Sequence, residues 1–468
     1  MTEVGQWAMV IVWSMNMVFI SVVLFVEKKR PETALCWLLA LIFLPIVGFL
    51  LYLFFGLSLP LYQRWSIARR QVSAKKRAER KVFVYEMEDM FVRMNECVGD
   101  GSLRANNSVE VFVNGKEKYS ALLSDIRGAT STIHLLYFII RNDRFGRHLL
   151  GALEEKARQG VHVRLLYDDG GSFFTSDELF RPLIKAGGDV KRFFPIRLGY
   201  YLRVNYRNHR KIVVIDGRVG YLGGMNIGEE YMGTDVADQI PWRDSHLRMK
   251  GEVVHDLQAR FLADWQFVGG TIKDNEATLF PQCDEKGESV VQIISSGPYQ
   301  KVPAIKWNYL RMLYGAKEYV WLQTPYFVPD ESFLEGVRVA IASGVQVRIL
   351  LSAHSDNRFA QRVSVSYAEE LWKLGVEIAF YPGFLHSKMG IVDGCIVTLG
   401  TSNLDRRSFT LNFETNAILY DQTIAHRCKR FFLDDWERSR EMCSQADWSR
   451  SIFLKGEEAV WRLFAPLL

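Results

Sequence analysis

The sequence predicts an α/β protein made of two fused repeats with mixed sheets, its site at their pseudo-twofold interface, preceded by an N-terminal transmembrane helical hairpin. Three observations carry this reading. Beyond residue 105, short apolar runs rich in Val, Ile and Phe alternate with amphipathic stretches of helical period. That alternation occurs twice with the same punctuation, and two long uncharged segments precede it. A chain of 468 residues exceeds one ordinary core, and 49% hydrophobic with 13% aromatic residues suits a protein that also touches lipid. The expected divisions are a hairpin over 1–60, a basic juxtamembrane linker over 61–105, and repeats over 106–285 and 286–468.

The hairpin comes first. Residues 7–26 carry no charge, and only Ser14, Asn16 and Ser21 interrupt the apolar run. At helical rise this length crosses the ~30 Å hydrocarbon layer. Residues 35–55 form a second such segment, in which Pro45 and Gly48 are tolerable. The start Met-Thr-Glu-Val lacks the basic region of a cleaved signal, and a second apolar segment follows at once, so both are expected to stay. The loop between them holds Lys28, Lys29 and Arg30, whereas 64–81 holds Arg64, Arg69, Arg70, Lys75, Lys76, Arg77, Arg80 and Lys81 against Glu79 alone. Excess positive charge marks the cytoplasmic side, which places the rest of the chain there. The same cluster serves as a topology signal, as a site for anionic headgroups, or as both.

Without that cluster the net +5 of the chain becomes slightly negative. A surface that tracks nucleic acid needs surplus Lys and Arg, so no nucleic-acid partner is expected. The six cysteines (Cys36, Cys97, Cys283, Cys395, Cys428, Cys443) show neither paired nor metal-like spacing, which disfavours a zinc site or a disulfide framework.

The repeats align element by element. The first has a strand at 132–138, a helical stretch, a strand at 160–166 and another at 188–195; the second has 319–327, a helix, 344–350 and 375–382. The last strand of each ends in Pro, and a His-x-Lys-x4-Asp element follows. In the first copy it is His209, Lys211 and Asp216, and in the second His386, Lys388 and Asp393. Ten residues beyond each Asp stands an Asn, Asn226 and Asn403, in a loop of small residues. His occurs nine times in the chain, so two copies with equal offsets through the Asn are hard to attribute to chance. His and Lys two apart on a strand share a face, and the hairpin beyond returns the Asn to their neighbourhood.

Two His, two Lys and two Asn in one pocket suit a tetrahedral phosphate. A neutral imidazole attacks phosphorus and forms a phosphohistidine, while the other, protonated, gives its proton to the departing alcohol oxygen and later acts as base. Lys211, Lys388, Asn226 and Asn403 would hold the non-bridging oxygens as negative charge grows. This chemistry requires no metal or other cofactor. Each imidazole needs an acceptor on its other nitrogen; Glu414 is the expected partner of His386, and Asp244 of His209. Asp216 and Asp393 complete the motifs, but each precedes Gly at a strand end, so a turn-capping or ion-pair role is expected of them.

At this point the sequence resembles the phospholipase D superfamily and, within it, the bacterial cardiolipin synthases. The likeness runs over nearly the whole chain: both motifs, the apolar N-terminus, Trp242-Arg243-Asp244, Leu404-Asp405-Arg406-Arg407-Ser408-Phe409 and Asn412-Phe413-Glu414. The resemblance implies condensation of two phosphatidylglycerol molecules into cardiolipin with release of glycerol. It also implies His209 as nucleophile and His386 as acid and base, with phosphatidylglycerol and anionic membrane lipids as partners. The implied location is the bacterial inner membrane, as a multi-pass protein with its catalytic part in the cytoplasm. Leu136 departs from the family pattern, where an acidic residue is common. The alternative is another transphosphatidylase or a phospholipid hydrolase, since the motifs would be the same. An insertion at 196–207, found only in the first repeat, interleaves Tyr200, Tyr201 and Tyr206 with Arg197, Arg203 and Arg207; it reads either as a lipid-facing segment or as a packed connector.

Overall fold

A computed structural model describes residues 3–26, 31–56, 86–98, 101–196, 205–232, 242–285, 287–300 and 302–464. The basic cluster at 64–81, the loop at 27–30, and Arg197, Tyr200, Tyr201 and Arg203 of the insertion lie outside the described residues.

The first apolar segment forms the helix Glu3–Ser21, which continues through Val26. Its Met9–Val26 portion, with mean hydropathy 2.4, is long and apolar enough to cross a membrane. The second segment departs from expectation: in place of one span-length helix it forms Pro31–Phe43 and Pro45–Leu51 with a break at Leu44. The cause is local. Proline pushes the residue before it out of helical geometry, and Leu44 adopts φ −125° and ψ 64°. Proline also lacks the N–H that would reach the carbonyl four residues back. That carbonyl is Leu41 O, and the buried Asn16 of the first helix donates to it at 3.2 Å and to Pro45 O at 2.9 Å. Beyond the bend Gly48 lies against the Ala40 carbonyl, where an added Cβ would stand 2.2 Å from the oxygen. The two apolar segments are therefore joined by a polar clamp as well as by packing of Phe19, Trp37 and Tyr52.

The duplication is visible in the sheet. In the first half Thr132–Tyr137, His162–Asp168 and Asp189–Phe193 run parallel, and Ile212–Ile215 returns antiparallel beside Thr132–Tyr137. Val219–Gly223, His246–Lys250 and Arg104–Phe112 extend the antiparallel side. The second half repeats this with Tyr319–Gln323, Gln346–Ser352 and Glu377–Tyr381 parallel, then Met389–Val392, Ile396–Gly400 and Asn412–Tyr420 antiparallel. Ser289–Ser296 pairs with Asn412–Tyr420 on one side and Arg104–Phe112 on the other, fusing both halves into one 16-stranded sheet. Equivalent helices begin with equivalent caps: Asp143 accepts from Gly146 N at 2.7 Å and Asp330 from Phe333 N at 3.1 Å. The helices Val253–Phe267 and Gln422–Glu437 bury Leu257, Phe261, Trp265 and Phe432 against the central strands.

Candidate active site

Each His-x-Lys segment lies in extended chain immediately ahead of its strand, Ile212–Ile215 or Met389–Val392. Leu136 pairs with Ile212, so His209 enters at the carboxyl end of Thr132–Tyr137. Gln323 pairs with Met389, which places His386 at the carboxyl end of Tyr319–Gln323. Leu136 itself is buried in the core against these strands.

Both histidines are held by the opposite repeat. The His209 N–H donates to Phe413 O at 3.0 Å, and the His386 N–H to Arg243 O at 2.7 Å. Their rings follow the same rule, which corrects the expected partnership. His209 Nδ1 lies 3.0 Å from Glu414 Oε1, and His386 Nδ1 lies 2.6 Å from Asp244 Oδ2. The expectation had paired carboxylate and imidazole within a repeat; the crossing follows from the pseudo-twofold contact, where each half lends its carboxylate to the other. Asp244 and Glu414 are equivalent by register, each two residues before the position facing a glycine, Gly223 opposite His246 and Gly400 opposite Asn416. Those glycines are required by close approach: a Cβ at 223 would stand 2.5 Å from His246 Cα, and one at 400 would stand 2.4 Å from Thr415 O.

Charge distribution gives the two imidazoles their form. Burial pushes His209 down to about 4, with Glu414 opposing and Lys211 and Lys388 assisting. Burial and Lys388 likewise push His386 down to about 4, against Asp244. Burial disfavours charge on Glu414 too, but His209, Lys211 and the Thr401 hydroxyl outweigh it and hold its carboxyl below the ordinary value. An ionised Glu414 accepts the hydrogen bond of His209 Nδ1–H, leaving the Nε2 lone pair for attack. Lys211 and Lys388 are buried; Lys211 is pushed well below its ordinary value and Lys388 down to about 8, in both cases mainly by burial. Lys211 Nζ donates to His209 O at 2.6 Å, and Lys388 Nζ donates to His386 O. Each lysine influences the histidine of the other repeat, so the four groups share one site.

The asparagines differ in their engagement. Asn226 Oδ1 accepts from Ile139 N at 3.2 Å and its Nδ2 donates to Tyr231 Oη at 2.9 Å, leaving one amide proton. Asn403 Oδ1 is buried without a hydrogen-bond partner, and its side chain bonds Asp405. Asp216 and Asp393 are placed away from the imidazoles, at the far end of their strands. Asp216 accepts from the N–H groups of Thr130, Ser131 and Thr132 at 2.8 to 2.9 Å, and Asp393 from those of Lys317, Glu318 and Tyr319 at 2.8 to 2.9 Å. Both have positive φ, 52° and 47°, and the following glycines 64° and 65°, as a two-residue hairpin turn needs. The motif aspartates therefore fasten the start of one strand to the hairpin beside it.

Sequence reasoning missed three contributors. Arg210, between His209 and Lys211, is fully buried and pairs with Asp264 at 2.6 Å, while its Nε donates to Thr415 Oγ1 at 2.9 Å and Glu414 O at 3.2 Å. It thus ties the His209 segment to the strand carrying Glu414. Ser387, the equivalent residue, meets Ser245 Oγ at 2.8 Å. Aromatic walls complete the site: Phe138 stands edge-on to His209 at 4.9 Å, and Phe384 and Trp242 lie 5.5 and 5.7 Å from His386. The identity of the middle motif residue was the one available signal for Arg210. Among the described residues no cluster of His, Cys, Asp or Glu forms a metal-ligand set, and all six cysteines are free.

The model for "Cardiolipin synthase, PLD-like domain" matches residues 122–265 and 309–436, and the chain is 40% identical to a cardiolipin synthase of Listeria monocytogenes serotype 4a over 98% of both chains. The chain belongs to the cardiolipin synthase family of the phospholipase D superfamily. A cardiolipin synthase 2 of Staphylococcus epidermidis is 37% identical, covering 97% of this chain and 96% of its own. A phospholipase D-nuclease N-terminal model matches residues 15–56, the apolar segments of this cardiolipin synthase family member. The fold is shared with the crystal structure of a phosphatidylserine synthase from Haemophilus influenzae, at TM-score 0.61 and 12% identity, covering 81% of this chain and all of that one. Together with the apolar N-terminal helix, these likenesses make it a membrane-associated phosphatidyltransferase.

Proposed function

We propose that the protein condenses two molecules of phosphatidylglycerol into cardiolipin and glycerol through a phosphohistidine. The observation that carries this is the crossed pairing of two buried, neutral imidazoles with carboxylates of opposite repeats beside two lysines, in a chain 40% identical to a cardiolipin synthase.

His209 Nε2 attacks the phosphorus of the first phosphatidylglycerol. The bond from phosphorus to the headgroup glycerol oxygen breaks, and His386 supplies the proton that this oxygen takes up. Burial and Lys388 favour neutral His386, and an anionic phosphodiester beside it favours its protonated form. Lys211 and Lys388 offset the charge on the non-bridging oxygens, and the unpartnered Asn403 Oδ1 is available to a lipid hydroxyl. Glycerol leaves. A headgroup hydroxyl of a second phosphatidylglycerol then gives its proton to His386 and attacks phosphorus, the phosphorus–nitrogen bond breaks, and His209 returns to its neutral state. The balance is two phosphatidylglycerols for one cardiolipin and one glycerol. We further place the protein in the bacterial inner membrane, with both apolar segments embedded and the catalytic repeats in the cytoplasm.

The test is purified full-length protein given phosphatidylglycerol vesicles without added metal or nucleotide. Cardiolipin and free glycerol in equal amounts are expected, and His209→Ala or His386→Ala should abolish both. Phosphatidic acid as the main product would make water the acceptor and the protein a hydrolase.

A further inference from the structure

The last helix, Ile452–Phe464, is turned inside out. Two of its charged residues face the protein, Arg462 paired with Glu370 and the buried Glu458 at 3.0 Å from Arg450, while Lys455 is exposed. Its apolar residues face outward, with Ile452 80%, Phe453 86%, Val460 54% and Leu463 76% exposed. At 100° per residue these four, with the exposed Gly456 and Ala459, form one stripe along the helix. A soluble amphipathic helix does the reverse, because an apolar stripe left in water loses the burial that stabilises it.

A second exposed apolar pair belongs to the other repeat. Phe173 and Phe174, 65% and 88% exposed, follow the strand His162–Asp168. The loop bearing them is fixed to the catalytic segment: Ser172 Oγ donates to Phe138 O at 3.1 Å, Phe138 packs on His209, and Asp168 accepts from Asn208 N at 2.8 Å. The last helix packs along the helix Arg358–Trp372 of the second repeat. Its Trp461 packs on Phe359, in the first turn of the helix that follows Gln346–Ser352, and Ser352 Oγ accepts from Leu385 N beside His386. Phe173 and Phe174 thus lie at the carboxyl end of their strand, the edge at which the two imidazoles sit, and the last helix reaches the equivalent edge of the second repeat through Trp461.

We infer that these two features are the surface by which the catalytic repeats rest on a phospholipid bilayer, with Phe173, Phe174 and the outward stripe of Ile452–Phe464 entering its interface on either side of the paired histidines. This rests on the phospholipid-substrate reading given above. Two observations favour a bilayer over a second copy of the chain. The chain carries a helix long and apolar enough to cross a membrane, which would keep a bilayer within reach. The features flank the edge that lipid must approach, and exposed aromatic and aliphatic side chains of this kind bury shallowly at headgroup depth.

The experiment uses the full chain reconstituted in phosphatidylglycerol vesicles, with Cys36, Cys97, Cys283, Cys395 and Cys443 replaced by Ser and the buried Cys428 kept. Nitroxide labels are placed singly by Phe174→Cys, Phe453→Cys, Leu463→Cys and, at the opposite edge of the sheet, Glu155→Cys. Labels at 174, 453 and 463 should be relaxed by oxygen and protected from an aqueous nickel chelate, while the label at 155 should show the opposite. Equal access of the chelate to all four overturns the inference, as does dipolar coupling between chains at 453, which would mean that a second copy covers the stripe. A double variant, Phe174→Ser with Leu463→Glu, should lower the ratio of rates on vesicles to rates on monomeric short-chain phosphatidylglycerol at least tenfold; an unchanged ratio also overturns it. If the labels are immersed but the wild type makes no cardiolipin, the substrate reading fails and the docking surface stands.

Discussion

His209 and His386 occupy equivalent positions, yet the chemistry asks different things of them, and the leaving group separates the roles. A phosphatidyl ester of p-nitrophenol departs without a proton. With this substrate, Asp244→Asn and His386→Ala should release p-nitrophenol at near the wild-type initial rate, whereas Glu414→Gln should slow it by about 10² to 10⁴-fold and His209→Ala should prevent it. On phosphatidylglycerol itself all four should be impaired. Release by His209→Ala and not by His386→Ala would reverse the assignment. Lys388 contributes an alkaline limb. It is a base pushed down to about 8, so it carries its charge below that pH and loses it above. A profile of kcat/KM should therefore fall as pH rises through about 8, and Lys388→Arg, which keeps its charge throughout, should remove that limb while lowering the plateau through altered geometry.

The strand Asn412–Tyr420 and the segment 208–211 depend on each other through one buried cation. Arg210 reaches Asp264, Tyr299, Thr415 and the Glu414 carbonyl, so it aligns the carboxylate that orients His209. Arg210→Met leaves Asp264 charged, buried and unpaired, which should cost roughly 3 to 5 kcal/mol in denaturant unfolding. Arg210→Met with Asp264→Leu should recover most of that stability, because the desolvated charges leave together. Activity should not return with it, since the tie to the Glu414 carbonyl is still missing. Full recovery of both would show that the cation serves stability alone.

Across the molecule, buried imidazoles make stability depend on pH. His134, His209 and His386 are each pushed down to about 4 in the folded protein, chiefly by burial. The unfolded chain binds these protons near pH 6.5 and the folded one only near 4, so protons favour unfolding as pH falls between those values. Asp168, pushed up to about 6 by burial, works in the opposite sense, as do Asp405 and Glu458, both raised by burial. Between pH 7 and pH 5 the net loss should be a few kcal/mol, roughly 2 per imidazole before these carboxyls are counted. The urea midpoint of the detergent-solubilised protein should therefore drop over this interval; a midpoint unchanged or higher at pH 5 would contradict the buried neutral state. The histidines thus carry a stability cost that the surrounding sheet sustains.

The chain by itself determined the duplication, the strands, the motif residues and the apolar N-terminus, because these rest on periodicity, turn residues and spacing that survive without any partner in space. Asp216 and Asp393 were legible as turn residues for the same reason, since an Asp before Gly at a strand end is a local signal. Three things were decided by contacts between distant segments. Glu414 serves His209, and Asp244 serves His386, because two repeats packed about a twofold exchange carboxylates; nothing in either repeat alone encodes that. The second apolar segment bends at Leu44, and Asn16, 25 residues from Leu41, closes the bond that Pro45 cannot make. The helix Ile452–Phe464 has an ordinary amphipathic sequence, and its ion pairs with Glu370 and Arg450 and the packing of Trp461 on Phe359 fix which face is turned outward. Sequence spacing specifies which side chains share a face, whereas the neighbour that this face meets is set by packing between segments far apart in the chain.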